Sequence, residues 1–372
     1  MRISIIEPVG GHGGMDYYDY GLAYGLGANG VEAIFFTSDK TQVREFPNVQ
    51  TKLFFKGVWG SSFITKTRLY IKGHIAAYRY SKKNGIKIVH LHFFFFRGID
   101  LLMLLLAKSF GLKTVVTVHD VNSFHNNSKQ AIEKQCYKLI DGVIVHNRSS
   151  YDMIKEKGMP IKQIAIIPHG NYLPFITAAE TSPKTPRPFT LLFFGQIKDV
   201  KGLDILLKAF KKVTAVKQDV QLIIAGKAYK NDLGVYEDLI TELGISSYIK
   251  TDFRYIPDDE VSSFFNMADL VILPYREIYQ SGVLLLTMSY GKPLLCSDLA
   301  AFKEIIVDNE NGFTFKSEDD EDMAGKLLSI MDDPGLLAKV SANASKVIRN
   351  DFDWVKIGAK TAGFYRLIEG DS

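Results

Sequence analysis

Phe189-Thr-Leu-Leu-Phe-Phe194-Gly195-Gln196-Ile-Lys-Asp-Val-Lys201-Gly202-Leu203-Asp-Ile-Leu206-Leu207-Lys-Ala-Phe210 is the stretch that decides the fold. Phe189 to Phe194 is a short apolar run rich in aromatics and closed by glycine, the pattern of a strand buried on both faces of a parallel sheet. Leu203, Leu206, Leu207 and Phe210 then recur at helical spacing, which predicts a helix with one apolar face. Lys201 and Gly202 stand at the turn between the two. A helix start carries unpaired N–H groups and the positive end of the dipole, and glycine lets backbone approach a ligand closely. With a lysine added, such a turn suits a diphosphate; a surface lysine in an ordinary turn is the plain alternative.

The rest of the chain repeats this strand–helix rhythm. Its 372 residues predict two domains, and 47% hydrophobic with 23% charged residues exclude a disordered protein. Cys136 and Cys296 are too far apart for a zinc knuckle or a disulfide framework, and no metal site is expected. Met1-Arg-Ile-Ser-Ile-Ile reads directly into a strand, so a cytoplasmic protein is expected. The longest apolar run, Leu101 to Ala107, is too short to span a membrane and reads as a buried helix.

Charge is unevenly spread. Residues 1–180 hold 22 Lys+Arg against 13 Asp+Glu, and the remainder hold 23 against 28. Between Phe46 and Ile99 there is no acidic residue, while ten lysines and arginines alternate with aromatics such as Trp59, Phe63, Tyr70 and Tyr78. A stretch of this kind can lie on an anionic membrane surface, and contact through 46–99 is the expectation, with no nucleic-acid partner. A solvated helix face with its aromatics turned inward is the alternative.

In the first half, Arg2–Glu7, Val31–Thr37, Ile86–Leu91, Thr114–Val118, Gly142–Val145 and Ile164–Ile167 read as strands, with helices at 16–27, 65–82 and 99–109. The loop Pro8-Val-Gly10-Gly11-His12-Gly13-Gly14-Met-Asp16 follows the first strand. It fails the dinucleotide fingerprint, because Asp16 takes the third glycine position, and a nicotinamide enzyme is disfavoured. Close backbone approach to a phosphate or sugar remains open to it. Ligands of parallel sheets sit at carboxyl ends of strands, where His92 and the pair His119-Asp120 fall. An imidazole there can donate to a substrate hydroxyl or stabilise charge.

Thr177 to Pro188 holds three prolines without periodicity and reads as a linker. The expected division is 1–176, the linker 177–188, a second βα domain at 189–350 and a last helix at 351–372. In the second domain, Val220–Ala225, Tyr248–Thr251, Leu270–Leu273 and Pro293–Cys296 read as strands. Pro274-Tyr-Arg-Glu277-Ile-Tyr-Gln-Ser281-Gly282-Val283 leads into another helix start, a second set of N–H groups for the same diphosphate. Glu277 could bind sugar hydroxyls. The acidic run Ser317–Asp322 and the pair Asp351, Asp353 read as helix caps and not as metal ligands.

Two βα domains, the glycine loop, the strand-end His119-Asp120, Phe194-Gly195-Gln196-Ile197 through Lys201-Gly202, Ser281-Gly282-Val283 and Gly291-Lys292-Pro293-Leu294 together resemble the retaining glycosyltransferases of family 4. The resemblance covers nearly the whole chain. It implies an α/β fold of two Rossmann-like doubly wound parallel-sheet domains facing across a cleft (the GT-B fold). It also implies sugar transfer from a nucleotide diphosphate sugar of UDP or GDP type to a glycan or polyprenyl-phosphate-linked acceptor, without cofactor or metal. On that resemblance His119, Lys201 and Glu277 are catalytic. Gly13, Gly14, Gly195, Gln196, Lys201, Tyr255, Ile256, Glu277, Ser281, Gly282 and Val283 bind the donor. His12, Asp16, His92 and Asp120 face the acceptor, and the last helix returns to the first domain.

Two positions depart from the family pattern. Gln196 stands where an arginine is usual, and Leu286 stands near the second of two glutamates. They keep two alternatives open: a nucleotide-sugar 2-epimerase of the same architecture, and a scaffold that has lost catalysis.

Overall fold

The computed structural model describes residues 1–11, 14–121, 130–176, 187–228 and 233–370. His12 and Gly13 lie outside the described residues, as does most of the 177–188 stretch. The chain divides into two compact units, Met1–Gly170 with Phe352–Ser372 and Asn171–Asp351.

The first unit runs β1 (Arg2–Glu7), α1 (Gly14–Ala28), β2 (Glu32–Ser38), β3 (Val49–Phe55), α2 (Phe63–Lys83), β4 (Ile88–Phe93), α3 (Gly98–Ser109), β5 (Lys113–Val118), α4 (Gln130–Leu139), β6 (Gly142–Val145), α5 (Arg148–Glu156) and β7 (Ile164–Ile166). All its strands pair in parallel, in the order β3-β2-β1-β4-β5-β6-β7. The order reverses at β1, so the crevice beyond the ends of β1 and β4 is the topological switch point where doubly wound sheets bind ligands. One face of the sheet packs on Tyr78, Leu104 and Cys136 from α2, α3 and α4.

The second unit runs β8 (Phe189–Phe194), α6 (Leu203–Val216), β9 (Val220–Ala225), α7 (Gly234–Glu242), β10 (Ile249–Asp252), α8 (Asp258–Met267), β11 (Leu270–Leu273), α9 (Gly282–Ser289), β12 (Leu294–Ser297), α10 (Ala300–Lys303), β13 (Phe313–Phe315), α11 (Asp320–Asp332) and α12 (Pro334–Asp351). Its parallel sheet has the order β10-β9-β8-β11-β12-β13, the same winding with its switch point between β8 and β11. The apolar face read from Leu203 to Phe210 is buried against β8, β9 and β11. The last helix, α13 (Trp354–Glu369), is part of the first unit and packs on α1.

Several expectations need correction. Strand β3 occupies 49–55, inside the stretch read only as basic and aromatic. Strand β4 continues to Phe93, so His92 lies within the strand and not after it. Helix α3 is not wholly buried: Leu102 and Leu105 stand 40% and 50% exposed. The division between units falls at Gly170–Asn171, ahead of the proline-rich stretch. The capping readings hold, since the Asp319 and Asp353 side chains accept the Asp322 and Lys356 N–H groups.

Candidate functional site

In the second unit, the turn after β8 is built around Lys201. Asp199–Lys201 forms a single 3-10 turn, and α6 begins only at Leu203, after Gly202 in the left-handed region (φ 64°). A Cβ on Gly202 would meet the Pro274 carbonyl oxygen at 1.9 Å, so this turn and the end of β11 close on each other only because no side chain intervenes. Arg276 ties the two together. Its guanidinium donates to both Asp204 carboxylate oxygens (2.9 and 2.7 Å) and to the Asp199 carbonyl (2.7 Å), and its N–H donates to the Val200 carbonyl. Burial alone would raise the Asp204 carboxyl, but the Arg276 fork outweighs it and holds the group below its usual range.

So braced, the turn sets the Lys201 ammonium over the Tyr275 ring, 3.6 Å from its centroid. Gly195 lies against the start of α9, where an added Cβ would come within 3.2 Å of the Val283 side chain. Ser281 is the N-cap of α9, its hydroxyl accepting the Leu284 N–H at 3.2 Å. The N–H groups of Gly282 and Val283 head that helix, where the dipole is positive. Lys201, Gly195 and the α9 N-terminus are therefore brought together at the switch point of this sheet. Gln196 is exposed there, and Glu277 is exposed with its carboxylate accepting from the Tyr279 hydroxyl at 2.8 Å. Leu286 lies one turn into α9, half-buried. Tyr255 is exposed and Ile256 buried after β10, beside Arg254, which pairs with Asp252 and Glu260.

In the first unit, the glycine loop is held from inside. The Gly10 carbonyl accepts from Trp59 Nε1 (3.0 Å) and the Ser38 hydroxyl (2.6 Å). Both Asp16 oxygens accept the Gly11 N–H at 2.9 Å, and burial pushes the Asp16 carboxyl up to about 6. The residue that breaks the dinucleotide fingerprint thus takes a loop N–H that a phosphate would otherwise meet. Gly14 opens α1 at the surface.

At the ends of β4 to β7 the structure gathers four histidines that sequence reading did not connect. His92, His119, His146 and His169 surround the Tyr18 ring, with centroids 5.0 to 5.4 Å away. Their signal was present: a histidine at or just past the end of four successive strands. His119 Nε2 lies 3.4 Å from His92 Nδ1, and its ring stacks on Phe94 at 4.8 Å. Burial, reinforced by neighbouring histidines, keeps His119 well below its ordinary value, so it is a neutral imidazole. His92 is the exception. Burial lowers it, but the Asp19 carboxylate 3.0 Å from Nε2 more than offsets that and raises it. Glu7, buried beside them, is pushed up to about 8 by burial and by Asp19. Asp120 follows His119 after the end of β5 and is half-buried. Among the described residues no three His, Cys, Asp or Glu side chains are grouped to hold a metal ion.

Residues 12–171 match the family model described as Glycosyltransferase Family 4, and residues 176–347 match the one described as Glycosyl transferases group 1. Similar relatives include phosphatidyl-myo-inositol mannosyltransferase of Mycolicibacterium smegmatis, 27% identical over 183 residues, 49% of this chain and 46% of that protein. Glycogen synthase of Mycobacterium tuberculosis is 23% identical over 273 residues, 70% of this chain and 64% of that protein. The chain thus spans about half to just under two thirds of these relatives' length. Among solved structures, sucrose-phosphate synthase from Thermosynechococcus elongatus superposes over all of both chains with a TM-score of 0.80 at 19% identity. Anabaena HepE in complex with UDP-glucose superposes over 98% of this chain and 99% of that one, with a TM-score of 0.75 at 16% identity. At these identities the structural likeness speaks for the fold.

Proposed function

The chain belongs to the glycosyltransferases of GT-B type, with a family 4 first half and a group 1 second half, and on that footing we propose that it moves a sugar, with retained anomeric configuration, from a UDP or GDP sugar to a glycan or polyprenyl-phosphate-linked acceptor. The observation that carries this reading is the convergence of Lys201, Gly195 and the α9 N-terminus at the β8–β11 switch point. A departing nucleoside diphosphate gains negative charge as the glycosidic bond breaks. One ammonium group and a helix N-terminus fixed beforehand stabilise that charge without reorganising, usually the largest catalytic effect. Binding of UDP-glucose by the HepE protein of the same fold supports a donor of this type.

In this reading the leaving phosphate oxygen accepts the acceptor hydroxyl's proton as the new bond forms on the same face of the sugar. No metal ion is needed, since Lys201 and the helix end supply the positive charge. Glu277 bonds sugar hydroxyls, while Tyr255 and Ile256 flank the base. His119, neutral and fixed by Phe94 and His92, donates to the transferred sugar. Asp16, His92 and Asp120 serve the acceptor side. The basic 46–99 segment meets the cytoplasmic face of an anionic membrane, where lipid-linked acceptors reside. Among the described residues no helix is long and apolar enough to cross one.

The test is a panel of nucleotide sugars screened for thermal stabilisation, then NMR of the product linkage. One nucleoside diphosphate sugar should stabilise the protein and yield an axial or equatorial linkage matching the donor. No stabilisation by any member would remove the reading. Donor conversion with no acceptor present would replace it with epimerisation.

A further inference from the structure

Beside His119 stand two side chains that no solvent reaches. We propose that Asp19 and His92 are positioning residues that decide which nitrogen of His119 carries its proton, and so whether His119 donates a hydrogen bond to the transferred sugar or accepts one. The inference rests on the place given to His119 above and deepens it.

The three groups form a line across three elements. Asp19 stands on α1, His92 is next to last in β4, and His119 comes directly after β5. Asp19 Oδ1 lies 3.0 Å from His92 Nε2, and His92 Nδ1 lies 3.4 Å from His119 Nε2. The Asp19 and His92 side chains have no exposed surface, so His92 serves the acceptor side at one remove, through the imidazole it touches. Neither Asp19 oxygen accepts a hydrogen bond from any other described group. A buried carboxylate is costly without a proton close by, so one stays in the 3.0 Å gap, on Oδ1 or on Nε2. His92 therefore gains or loses its other proton at Nδ1, the atom turned to His119.

When that Nδ1 is protonated it donates to His119 Nε2, and a neutral His119 keeps its own proton on Nδ1, which is then a donor. When Nδ1 of His92 is bare, its lone pair accepts from His119. The His119 proton then sits on Nε2, and its Nδ1 becomes an acceptor. The proton that His92 releases goes to water, and the proton of His119 only changes nitrogen. Burial keeps His119 neutral throughout.

Ring contacts hold the imidazoles in place for this exchange. His119 stacks on Phe94 at 4.8 Å, His92 stacks on His90 at 4.9 Å, and Tyr18 stands edge-on to His92 and His119. His90 is kept out of the line, because its two nitrogens meet the Tyr365 and Thr117 hydroxyls at 2.6 and 2.7 Å. The titratable groups facing His92 are Tyr18 and Asp19 from α1, Glu7 from β1, His90 from β4, His119 after β5 and His146 after β6. Burial opposes charge on His92, but Asp19, with less from Glu7, outweighs it and lifts the ring above its ordinary 6.5. The donating form of His119 is thus kept to higher pH than a lone imidazole would keep it.

The experiment is a pH titration of the full chain labelled with nitrogen-15 in its histidines. Long-range proton–nitrogen correlations report the tautomer of each ring. In parallel, kcat/KM is measured with the nucleotide sugar that stabilises the protein. The His119 proton should move from Nδ1 to Nε2 at the midpoint of His92 deprotonation. Across that midpoint kcat/KM should fall about three- to tenfold, the cost of one hydrogen bond. Asp19→Asn offers Nε2 an amide donor and leaves the neutral His92 proton on Nδ1. His119 should then keep Nδ1–H throughout, and the fall in kcat/KM should vanish, a change that a merely structural aspartate would not produce. An unchanged His119 tautomer across His92 titration in the wild type, or the same switch and pH profile in Asp19→Asn, overturns the proposal. The wild-type titration needs neither a substitution nor a substrate. A coupled switch in a chain that transfers no sugar keeps the pairing and removes the transfer reading, whereas transfer without the switch removes the pairing alone.

Discussion

Gly25 of α1 and Gly358 of α13 meet backbone against backbone: a Cβ on Gly358 would stand 2.1 Å from the Gly25 carbonyl carbon and oxygen, and one on Gly25 would stand 2.0 Å from the Trp354 carbonyl oxygen. The two glycines let helices from opposite ends of the described chain approach more closely than any side chain permits. The contact also seats Trp354, 1% exposed, against Tyr18 and His169 at ring separations of 5.7 Å. Gly25→Ala or Gly358→Ala should force the helices apart and cost about 1–3 kcal/mol, as overpacking does. Urea denaturation checks this; an unchanged midpoint in both variants would contradict the close approach.

The buried titratable groups of the first unit set opposing pH dependences. Glu7 holds its proton up to about pH 8 and Asp16 up to about 6, whereas ordinary values are 4.5 and 3.8. The folded state keeps protons that the unfolded chain gives up, so this contribution is lost as pH rises through those values. Burial lowers His74, His146 and His169 from 6.5 to about 4, 3 and 4. Their contribution is present above 6.5 and lost as pH falls toward the folded values. Each proton carries about 1.4 kcal/mol per pH unit. His90 and His119 are lowered too, so five histidines outweigh the raised carboxyls of Glu7, Asp16 and Asp19, and stability should peak near pH 6.5, fall more steeply toward acid and decline gently toward pH 8. Denaturation across that range checks it, and Glu7→Gln should lessen the alkaline decline, leaving the part that His92, raised by Asp19, contributes.

Lys201→Ala should lower turnover about 100- to 1000-fold with folding intact, the usual cost of one charge-stabilising donor. Tyr275→Leu, which removes the aromatic face beneath the ammonium and the hydroxyl bonded to Ser281, should cost at least about two- to fivefold. Near wild-type turnover for Lys201→Ala would place the diphosphate elsewhere.

Asp19→Asn should strip His92 of the carboxylate that raises it. Its imidazole would then titrate well below its wild-type value, which carbon and nitrogen chemical shifts of the ring report directly. The loss should reach His119 through the 3.4 Å contact as a change in its ring nitrogen shifts. Unaltered His92 titration would mean that the 3.0 Å pairing has no electrostatic weight.

Much of the architecture was legible because parallel strands buried on both faces read as uninterrupted apolar runs. Arg2–Glu7, Gly142–Val145, Phe189–Phe194, Val220–Ala225 and Leu270–Leu273 coincide with β1, β6, β8, β9 and β11. Strand β3 was not legible, since it lies at the sheet edge and its exposed Gln50 and half-buried Thr51 and Lys52 break the run. The leucine-rich stretch Leu101–Ala107 of α3 has no polar side to mark which leucines face water. At the candidate site, Lys201 and Ser281–Val283 were recognisable from strand–turn–helix grammar. Arg276 was not, because its role depends on Asp204, a residue 72 positions away that the fold alone brings near. Asp19 was hidden for the same reason, inside a helix whose only sequence signal was periodicity.

The return of α13 to α1 has a consequence for biosynthesis. A ribosome releases the first sheet early, yet the helix that caps its α1 side is made only after residues 171–351 have emerged. Until then the nascent first unit presents an open slot lined by glycine backbone and a vacant indole seat. The intervening unit, contiguous in sequence, can mature on its own schedule. Chaperone dependence and pausing during translation should therefore fall on the early portion of the chain, even though it is the first to leave the exit tunnel.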